Sequence, residues 1–268
     1  KPIEYSGSYG TNGFYLPFKQ DYTVEGFSTV TWAGNTTDQY IGGVGFQPDL
    51  VWIKHRNGSG DHMLMDSIRG VTKNLISNTT VAEETRAEGL QAFSADGYTL
   101  GTNDGNLNRE DRTYVGWNWD MGGSNASNTE GSITTTVRAN ATYGQSIVKY
   151  TGTAGVSNAT KIGHGLSAAP EMIIIKVLGE AEYWPVWHKD MHADGGFDRK
   201  MYLNDTTGVT GTDQRRVTSV SSTTFGLCEG ASTGGYSEAN QIGEEHIAYV
   251  FHSVTGYSKF GSYQANDS

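Results

Sequence analysis

Three pairs of neighbouring acidic residues have the side chains that a glycoside hydrolase would need. They are Glu83–Glu84, Glu110–Asp111 and Glu244–Glu245. Such an enzyme places two carboxylates roughly 5–10 Å apart across a cleft. Adjacent side chains of a strand point to opposite faces, so sequence neighbours do not converge on one substrate. We therefore interpret the pairs as solvated surface and expect no enzymatic activity.

Two further patterns partly match a zinc motif and a catalytic motif. His188 and His192 are four residues apart, but they lack the glutamate of a His-Glu-x-x-His zinc site, and their surroundings do not read as helix. Residues 230–234 match Gly-x-Ser-x-Gly, the nucleophile elbow of hydrolases. That elbow needs a strand before the serine and a helix after it, whereas Gly235 and Tyr236 indicate a loop. We interpret this match as chance.

A calcium site is the more plausible metal chemistry. Asp96, Asn103 and Asp104 place oxygen ligands on glycine-containing loops, and calcium prefers such ligands. Their spacing does not match an EF-hand, and turns use Asn, Asp and Gly for their own backbone reasons. We favour turn chemistry and expect no cofactor, with calcium at these three residues as the alternative.

Aromatic side chains suggest a binding site. Tyr183, Trp184, Trp187 and His188 lie close together in sequence, and indole faces stack well on the apolar patches of sugar rings. Trp184 and Trp187 are three residues apart, which in a strand puts them on opposite faces. At most one is then exposed, and we favour core packing for both. Trp117 and Trp119 share one face of a strand, and we expect them to pack a core as well.

Composition limits the possible partners. The 268 residues carry a formal net charge of −10 and contain no large cluster of Lys and Arg, which disfavours nucleic acid as a partner. No apolar run approaches the roughly 20 residues of a membrane helix, so we expect no membrane insertion. One cysteine, Cys228, excludes an internal disulfide and reads as a small buried hydrophobe. The chain starts at Lys1, and we expect an excerpt of a longer protein.

An internal repeat organises the chain. Pro48 and Lys54 bracket an apolar run, and Pro170 and Lys176 bracket a similar one 122 positions later. Residues 93–100 correspond to residues 220–227, and Tyr114–Val115 to Tyr249–Val250. The offsets grow along the chain, as loop insertions between equivalent strands would require. Two copies of one unit are therefore predicted, with Phe260 opening a third.

The local pattern is that of strands. Short apolar runs at residues 50–53 and 172–176 predict central strands that are covered on both faces. Residues 81–90 are the one helix candidate, a short surface helix at most. The chain therefore reads as all-β, with tandem β-sandwich repeats of a jelly-roll or lectin-like kind. The predicted divisions are 1–25 (an incoming strand or the tail of a lectin-like module), 26–122 (repeat 1), 123–144 (linker and connecting strand), 145–257 (repeat 2) and 258–268 (the start of a third repeat, or an exchanged strand).

Five segments carry a resemblance to a known family. They are Tyr9–Phe18 (YGTNGFYLPF), Gly45–Lys54 (GFQPDLVWIK), Met65–Gly70 (MDSIRG), Ser94–Leu100 (SADGYTL) and Val250–Phe260 (VFHSVTGYSKF). In this order they resemble a repeated β-module of tailed-phage virion proteins, particularly of marine phages, which often follows a concanavalin-like lectin domain. The similarity covers nearly the whole chain.

The resemblance implies a structural role in the virion, in a tail fibre or similar surface appendage, and a location on the particle. It implies other virion proteins as partners and a homo-oligomer, with trimers common among fibres. It carries over no catalytic residue. A receptor module that binds a host surface glycan is the alternative function, and a capsular polysaccharide depolymerase is the third.

Overall fold

The protein is a stack of antiparallel sheets. The computed structural model describes residues 25–102, 104–191, 196–209, 216–231 and 237–263. The regular structure of these residues is almost entirely β, with one short helix, α1 (Ser237–Asn240). Every ladder between their strands is antiparallel. The predicted all-β sandwich class is confirmed.

The first half of the chain forms a large and a small sheet. In spatial order, the large sheet contains β1 (Phe27–Ala33), β9 (Thr113–Trp119), β3 (Leu50–His55), β4 (Met63–Asp66), β5 (Lys73–Ile76) and β6 (Glu84–Thr85). The small sheet contains β2 (Gln39–Gly42), β8 (Gly97–Leu100) and β7 (Leu90–Ser94). These two sheets form the first sandwich.

The second half also forms a large and a small sheet. In spatial order, the large sheet contains β10 (Ala126–Asn128), β11 (Thr135–Asn140), β12 (Gln145–Thr151), β19 (Glu245–Phe251), β14 (Met172–Val177), β15 (Pro185–His188) and β16 (Met201–Tyr202). The small sheet contains β13 (Lys161–Gly163), β18 (Thr224–Leu227) and β17 (Val217–Val220). These two sheets form the second sandwich.

The two sandwiches follow the same strand order. The succession β1-β9-β3-β4-β5 corresponds to β12-β19-β14-β15-β16, and β2-β8-β7 corresponds to β13-β18-β17. This correspondence supports the predicted repeat. It also changes one alignment: Trp52 pairs with Trp117 and Ile174 pairs with Tyr249, so Tyr249 is the counterpart of Trp117 and not of Tyr114.

The repeated lysine makes the same contact in both sandwiches. Lys54 Nζ donates to the carbonyl of Gly58, four residues on, at 3.0 Å. Lys176 Nζ donates to the carbonyl of Glu180, also four residues on, at 2.9 Å. The lysine at the end of the central strand thus ties down the loop that follows it, which explains why both sequence runs end in lysine.

Three apolar cores hold the layers together. The first and second cores fill the sandwiches and contain, among others, Val51 and Tyr98 in one and Ile173 and Phe225 in the other. The third core lies between the two large sheets, where Leu50 and the residues around it meet the second sandwich. Its buried members are Leu50, Leu64, Leu75, Met121, Ile147, Ile174, Leu178, Trp184, Val186, Ile247, Tyr249 and Phe251. Central strands covered on both faces, as predicted, result from this four-layer stack.

Polar contacts reinforce the junction between the sandwiches. Asp66 of the first accepts a hydrogen bond from Tyr249 Oη of the second at 2.8 Å. Asp49 pairs with Arg138 across the same junction. Lys176 Nζ also donates to the carbonyl of Thr80 at 3.2 Å. Because these groups are buried or nearly so, their bonds fix how the two large sheets sit on one another.

Two predicted segments differ in the structure. Residues 81–90 form no helix: Glu84–Thr85 is the edge strand β6, and the amide of Arg86 donates to the carbonyl of Thr72 at 2.8 Å. Pairing with β5 thus overrides the helical propensity of Ala, Glu and Arg. Within the segment 123–144, predicted as a linker and connecting strand, β10 and β11 extend the second large sheet.

The two ends of the described chain lie near one another. Glu25 and Phe260 both line an open pocket of about 450 Å³, together with Phe27, Trp119 and Tyr257. Phe260 packs on Phe251 with ring centroids 5.9 Å apart, and residues 259–263 form no strand. Residues 1–24, nearly all of the predicted incoming segment, and residues 264–268, five of the eleven residues of the predicted last segment, lie outside the described residues, so both divisions stay predictions.

A buried histidine makes the fold sensitive to acid. His164 is fully buried; its Nδ1 accepts from the amide of Leu166, and its Nε2 lies 3.3 Å from the carbonyl of Ser221. Burial lowers its pKa to about 4, against about 6.5 for the unfolded chain. Between these values the unfolded state binds a proton that the folded state does not. Stability therefore falls as pH drops from about 6.5 to about 4, by about 3 kcal/mol in total.

The acid effect is measured by urea unfolding at a series of pH values. We expect His164→Gln to remove the part of the slope that this imidazole contributes between about pH 6.5 and pH 4, about 3 kcal/mol in total, whatever the substitution costs at neutral pH. His62→Gln is the comparison: burial and the Lys54 ammonium also lower the pKa of His62, but less than burial lowers that of His164, so this variant should remove a smaller part of the slope. Equal slopes for wild type and His164→Gln would show that this imidazole does not carry the effect.

Candidate ligand-binding groove

The predicted aromatic cluster of the second sandwich does not form a surface. Trp184 is 0% exposed and lies in the third core, whereas Trp187 is 6% exposed and lies in the second. The two indoles thus occupy opposite faces of the sheet and are both buried. Tyr183 is 40% exposed and stacks on Tyr202 at 4.6 Å. His188 Nδ1 accepts from the amide of Asp190. No common ligand can contact these four predicted residues.

The predicted calcium ligands bind protein groups instead. The Asp96 carboxylate accepts from the amides of Gly43 and Gly45, at 3.1 and 2.6 Å. Asp104 accepts from Arg86 and from the amide of Asn106. Asn103 lies outside the described residues. Within the described ranges, no three His, Cys, Asp or Glu side chains gather into a group that could hold a metal ion.

The remaining candidates occupy separate places. Glu83 pairs with Arg69 and Lys73, while Glu84 pairs with Arg86. Glu245, on the second sandwich, pairs with Lys149. Ser232 and His192, from the Gly-x-Ser-x-Gly match and the histidine pair, lie outside the described residues. Cys228 is buried, and burial raises the pKa of its thiol to about 12, so it is unreactive at neutral pH.

Three tryptophans form a platform on the first sandwich. Trp117 and Trp119 alternate along β9 and therefore share a face. Trp52 of β3 lies opposite Trp117 in the ladder, which brings it to the same face. The ring centroids of Trp52 and Trp117 are 6.5 Å apart, edge to face, and those of Trp52 and Trp119 are also 6.5 Å apart. The expectation that Trp117 and Trp119 share a face holds, but core packing is only partly correct, since all three are half-buried.

The equivalent positions of the second sandwich are more deeply buried. Ile174, Tyr249 and Phe251 are the counterparts of Trp52, Trp117 and Trp119, and they are 8%, 2% and 7% exposed. The same architecture can therefore cover these positions almost completely. The larger and partly open indoles of the first sandwich are a property of its sequence and not of the fold.

A groove runs over this platform to the second sandwich. One cavity of about 360 Å³ is lined by Trp52, Lys54, His62, Trp117 and Trp119. A cleft of about 200 Å³ adjoins it. This cleft is lined by Trp52, His62, Ser77, Asn78, Leu203, Asn204, Asp205 and Thr206. Trp52 and His62 line both spaces, so the two lie side by side, and together we call them the tryptophan groove.

Internal hydrogen bonds hold the polar rim of the groove in place. Asn78 accepts from the amide of His62 at 2.8 Å and donates to Asp61 at 3.1 Å. On the opposite side, Asn204 accepts from the amide of Trp184 at 2.9 Å. Burial and the nearby Lys54 ammonium lower the pKa of His62, so its imidazole is neutral at pH 7. The groove thus combines an aromatic floor with a positioned rim of amide, imidazole and carboxylate groups.

A search against protein families finds one match to this chain. A family described only as a domain of unknown function, DUF7483, matches residues 23–268. The chain belongs to this family. The DUF7483 match spans both sandwiches and the junction between them, so the four-layer stack falls within one family domain. Searches of curated proteins and of solved structures find no match. No helix in the described part of this DUF7483 chain is long and apolar enough to cross a membrane.

Sequence reasoning missed Trp52 as part of a site. The sequence does contain one indication of its role. Trp52 lies in a short apolar run, two residues before Lys54, and the corresponding residue before Lys176 is Ile174. At this position the first sandwich has a tryptophan and the second an isoleucine, a difference in size that the sequence already shows. Which strand faces Trp52 could not be read from the sequence, because strand pairing is non-local.

Proposed function

We propose that this protein is a non-enzymatic structural segment of a tailed-phage virion, in a tail fibre or similar surface appendage. The observation that carries the proposal is the third core, which joins the two sandwiches into a single body. The ordered motifs that resemble phage virion modules support the same role. Other virion proteins, and further copies of this chain in a homo-oligomer such as a trimer, are the proposed partners.

A structural segment must keep its parts in fixed relation under load. Here the two large sheets share twelve buried apolar residues, and the buried Asp66–Tyr249 hydrogen bond crosses between them. A flexible tether would instead leave two bodies with separate cores and an exposed linker between them. The region predicted as linker contributes β10 and β11 to a sheet, which is what a stiff connection requires.

The acidic pairs that a depolymerase might use support a structural role too. Glu83, Glu84 and Glu245 form ion pairs with basic side chains and do not converge on one cleft. The glycan-receptor alternative is not supported at Tyr183, Trp184, Trp187 and His188, because both tryptophans are buried. The depolymerase stays the third prediction, and release of reducing sugar from capsule by the purified protein would favour it over a structural role.

Cooperative unfolding is the first test of the proposed rigid segment. We expect the two sandwiches to unfold in a single calorimetric transition, with the calorimetric enthalpy close to the van't Hoff enthalpy. The reason is that separating them would expose the third core to water. Two resolved transitions would mean that the sandwiches move independently and would contradict a rigid segment.

The virion role is tested on particles. Mass spectrometry of purified virions from the phage that encodes this chain should detect its peptides in proportion to known structural proteins, and immunogold labelling should mark an appendage. A cytosolic host protein serves as the control for contamination. Absence of the chain from purified particles would exclude the virion role, whatever the outcome of the unfolding experiment.

A further inference from the structure

The tryptophan groove has the composition of a carbohydrate site. Its floor consists of indole rings that remain partly exposed in a fold able to bury the same positions. Indole faces pack against the C–H faces of pyranose rings, which are flat and apolar, while the hydroxyls at the ring edge stay free for hydrogen bonds. Trp52 and Trp119, in adjacent strands, have ring centroids 6.5 Å apart and planes inclined by 37°, whereas Trp117 meets Trp52 edge to face.

The rim supplies partners for hydroxyl groups. Asn78 and Asn204 carry amides that can both donate and accept, and neutral His62 can do either according to its tautomer. Asp205 adds a carboxylate acceptor. A hydroxyl also donates and accepts, so this mixture suits sugars better than it suits a purely apolar ligand.

Charge restricts the class of sugar. Lys54 is the one basic side chain among the groove-lining residues apart from His62, and its Nζ already donates to the carbonyls of His55 and Gly58 at 2.7 and 3.0 Å. Asp205 lies on the rim, and Asp61 contacts Asn78 behind it. The chain as a whole carries a net charge of −10. An anionic glycan would be repelled here, whereas a neutral one would not.

We propose that the tryptophan groove binds a neutral oligosaccharide, with Trp52, Trp117 and Trp119 as its aromatic floor and His62, Asn78, Asn204 and Asp205 as its polar contacts. The two adjoining spaces of about 360 and 200 Å³ have the size of small-molecule sites, which are roughly 300–1,000 Å³. This binding activity goes beyond the structural role and does not depend on it. It also differs from the predicted glycan site, whose tryptophans lie in the cores.

The test uses a panel of neutral hexaoses: the gluco-oligosaccharides of starch and of cellulose, and those of xylan, mannan and chitin. Each is added to the whole chain at about 1 mM. At this concentration, a ligand whose binding free energy is only about 4 kcal/mol in magnitude occupies half of the sites. Saturation-transfer NMR and tryptophan fluorescence are the readouts. We expect at least one hexaose to bind, and we expect Trp117→Ala to weaken its binding about tenfold or more, equivalent to about 1.4 kcal/mol.

Two further variants make the result decisive. His62→Ala removes a rim contact without touching the floor and should weaken binding about threefold or more, which keeps the proposal testable if Trp117→Ala does not fold. Tyr40→Ala removes a 54% exposed aromatic from the small sheet and should change nothing. If no hexaose binds, or if Trp117→Ala and His62→Ala bind like wild type, the proposal is wrong. Loss of self-association in Trp117→Ala, with no sugar bound by wild type, would identify a protein interface instead and would also overturn it.

Discussion

Replacing Arg69 by methionine should destabilise the protein by about 3–5 kcal/mol, because the substitution leaves a buried carboxylate without its counter-charge. Arg69 Nε lies 2.5 Å from Asp66 Oδ2, with both side chains at most 1% exposed. Its Nη1 lies 3.3 Å from Glu83 Oε2, and its Nη2 donates to the carbonyl of Leu64 at 3.0 Å. Urea unfolding measures the loss as a lower midpoint at similar slope.

Two comparisons identify the cause of that loss. Arg109→Met removes an ion pair with Asp111 whose side chains are about half exposed, and it should cost about 1 kcal/mol or less. The double variant Arg69→Met/Asp66→Asn should be more stable than the sum of its single variants predicts, because the uncompensated charge is gone. Additive losses would show that Arg69 contributes packing and not charge balance.

Replacing Trp184 by alanine is the second large effect, with an expected cost of about 3–5 kcal/mol. The indole is completely buried in the third core, and its Nε1 donates to the carbonyl of Thr79 at 3.0 Å. Because Thr79 belongs to the first sandwich and Trp184 to the second, the substitution opens a cavity and also cuts a bond across the junction. Thermal or urea unfolding measures the change.

Trp184→Phe is the matched control for the cavity. It keeps an aromatic ring and removes the Nε1 donor, so we expect a cost of about 1–3 kcal/mol, mainly from the unpaired Thr79 carbonyl. If the alanine variant also unfolds in two separate transitions, the Trp184 indole is what keeps the two sandwiches joined at the junction. A cost below about 1 kcal/mol for the alanine variant would mean that Trp184 is not in a packed core.

The β class and the central strands could be predicted because they depend on local sequence. Alternation and short apolar runs identify strands, and a spacing of three residues correctly separates Trp184 from Trp187. The helix candidate at residues 81–90 forms no helix, because propensity is a weak local preference and pairing with β5 decided the outcome.

The candidate site was harder to predict for a physical reason. An apolar face can be read from alternation, but the element that covers it cannot, since that element lies far away in the chain. Trp117 and Trp119 were rightly placed on one face, yet their exposure depends on how far the second sandwich extends over them. Trp52 joins them only through a strand pairing that the sequence does not display.

The third core also bears on how a chain with two similar sandwiches could arise. Leu50, Trp52 and Leu64 of one large sheet face the same core as their counterparts Met172, Ile174 and Val186 of the other, so the two halves meet through equivalent surfaces. This is the self-complementary contact of a twofold-symmetric dimer. A single sandwich with this face could pair with a second copy of itself in the same way, and joining the two copies in one chain would make that pairing permanent. In a single chain, the sequence of each half can change independently of the other. The partly exposed tryptophans, which only the first half has at these positions, are an asymmetry that a homodimer of identical halves could not have.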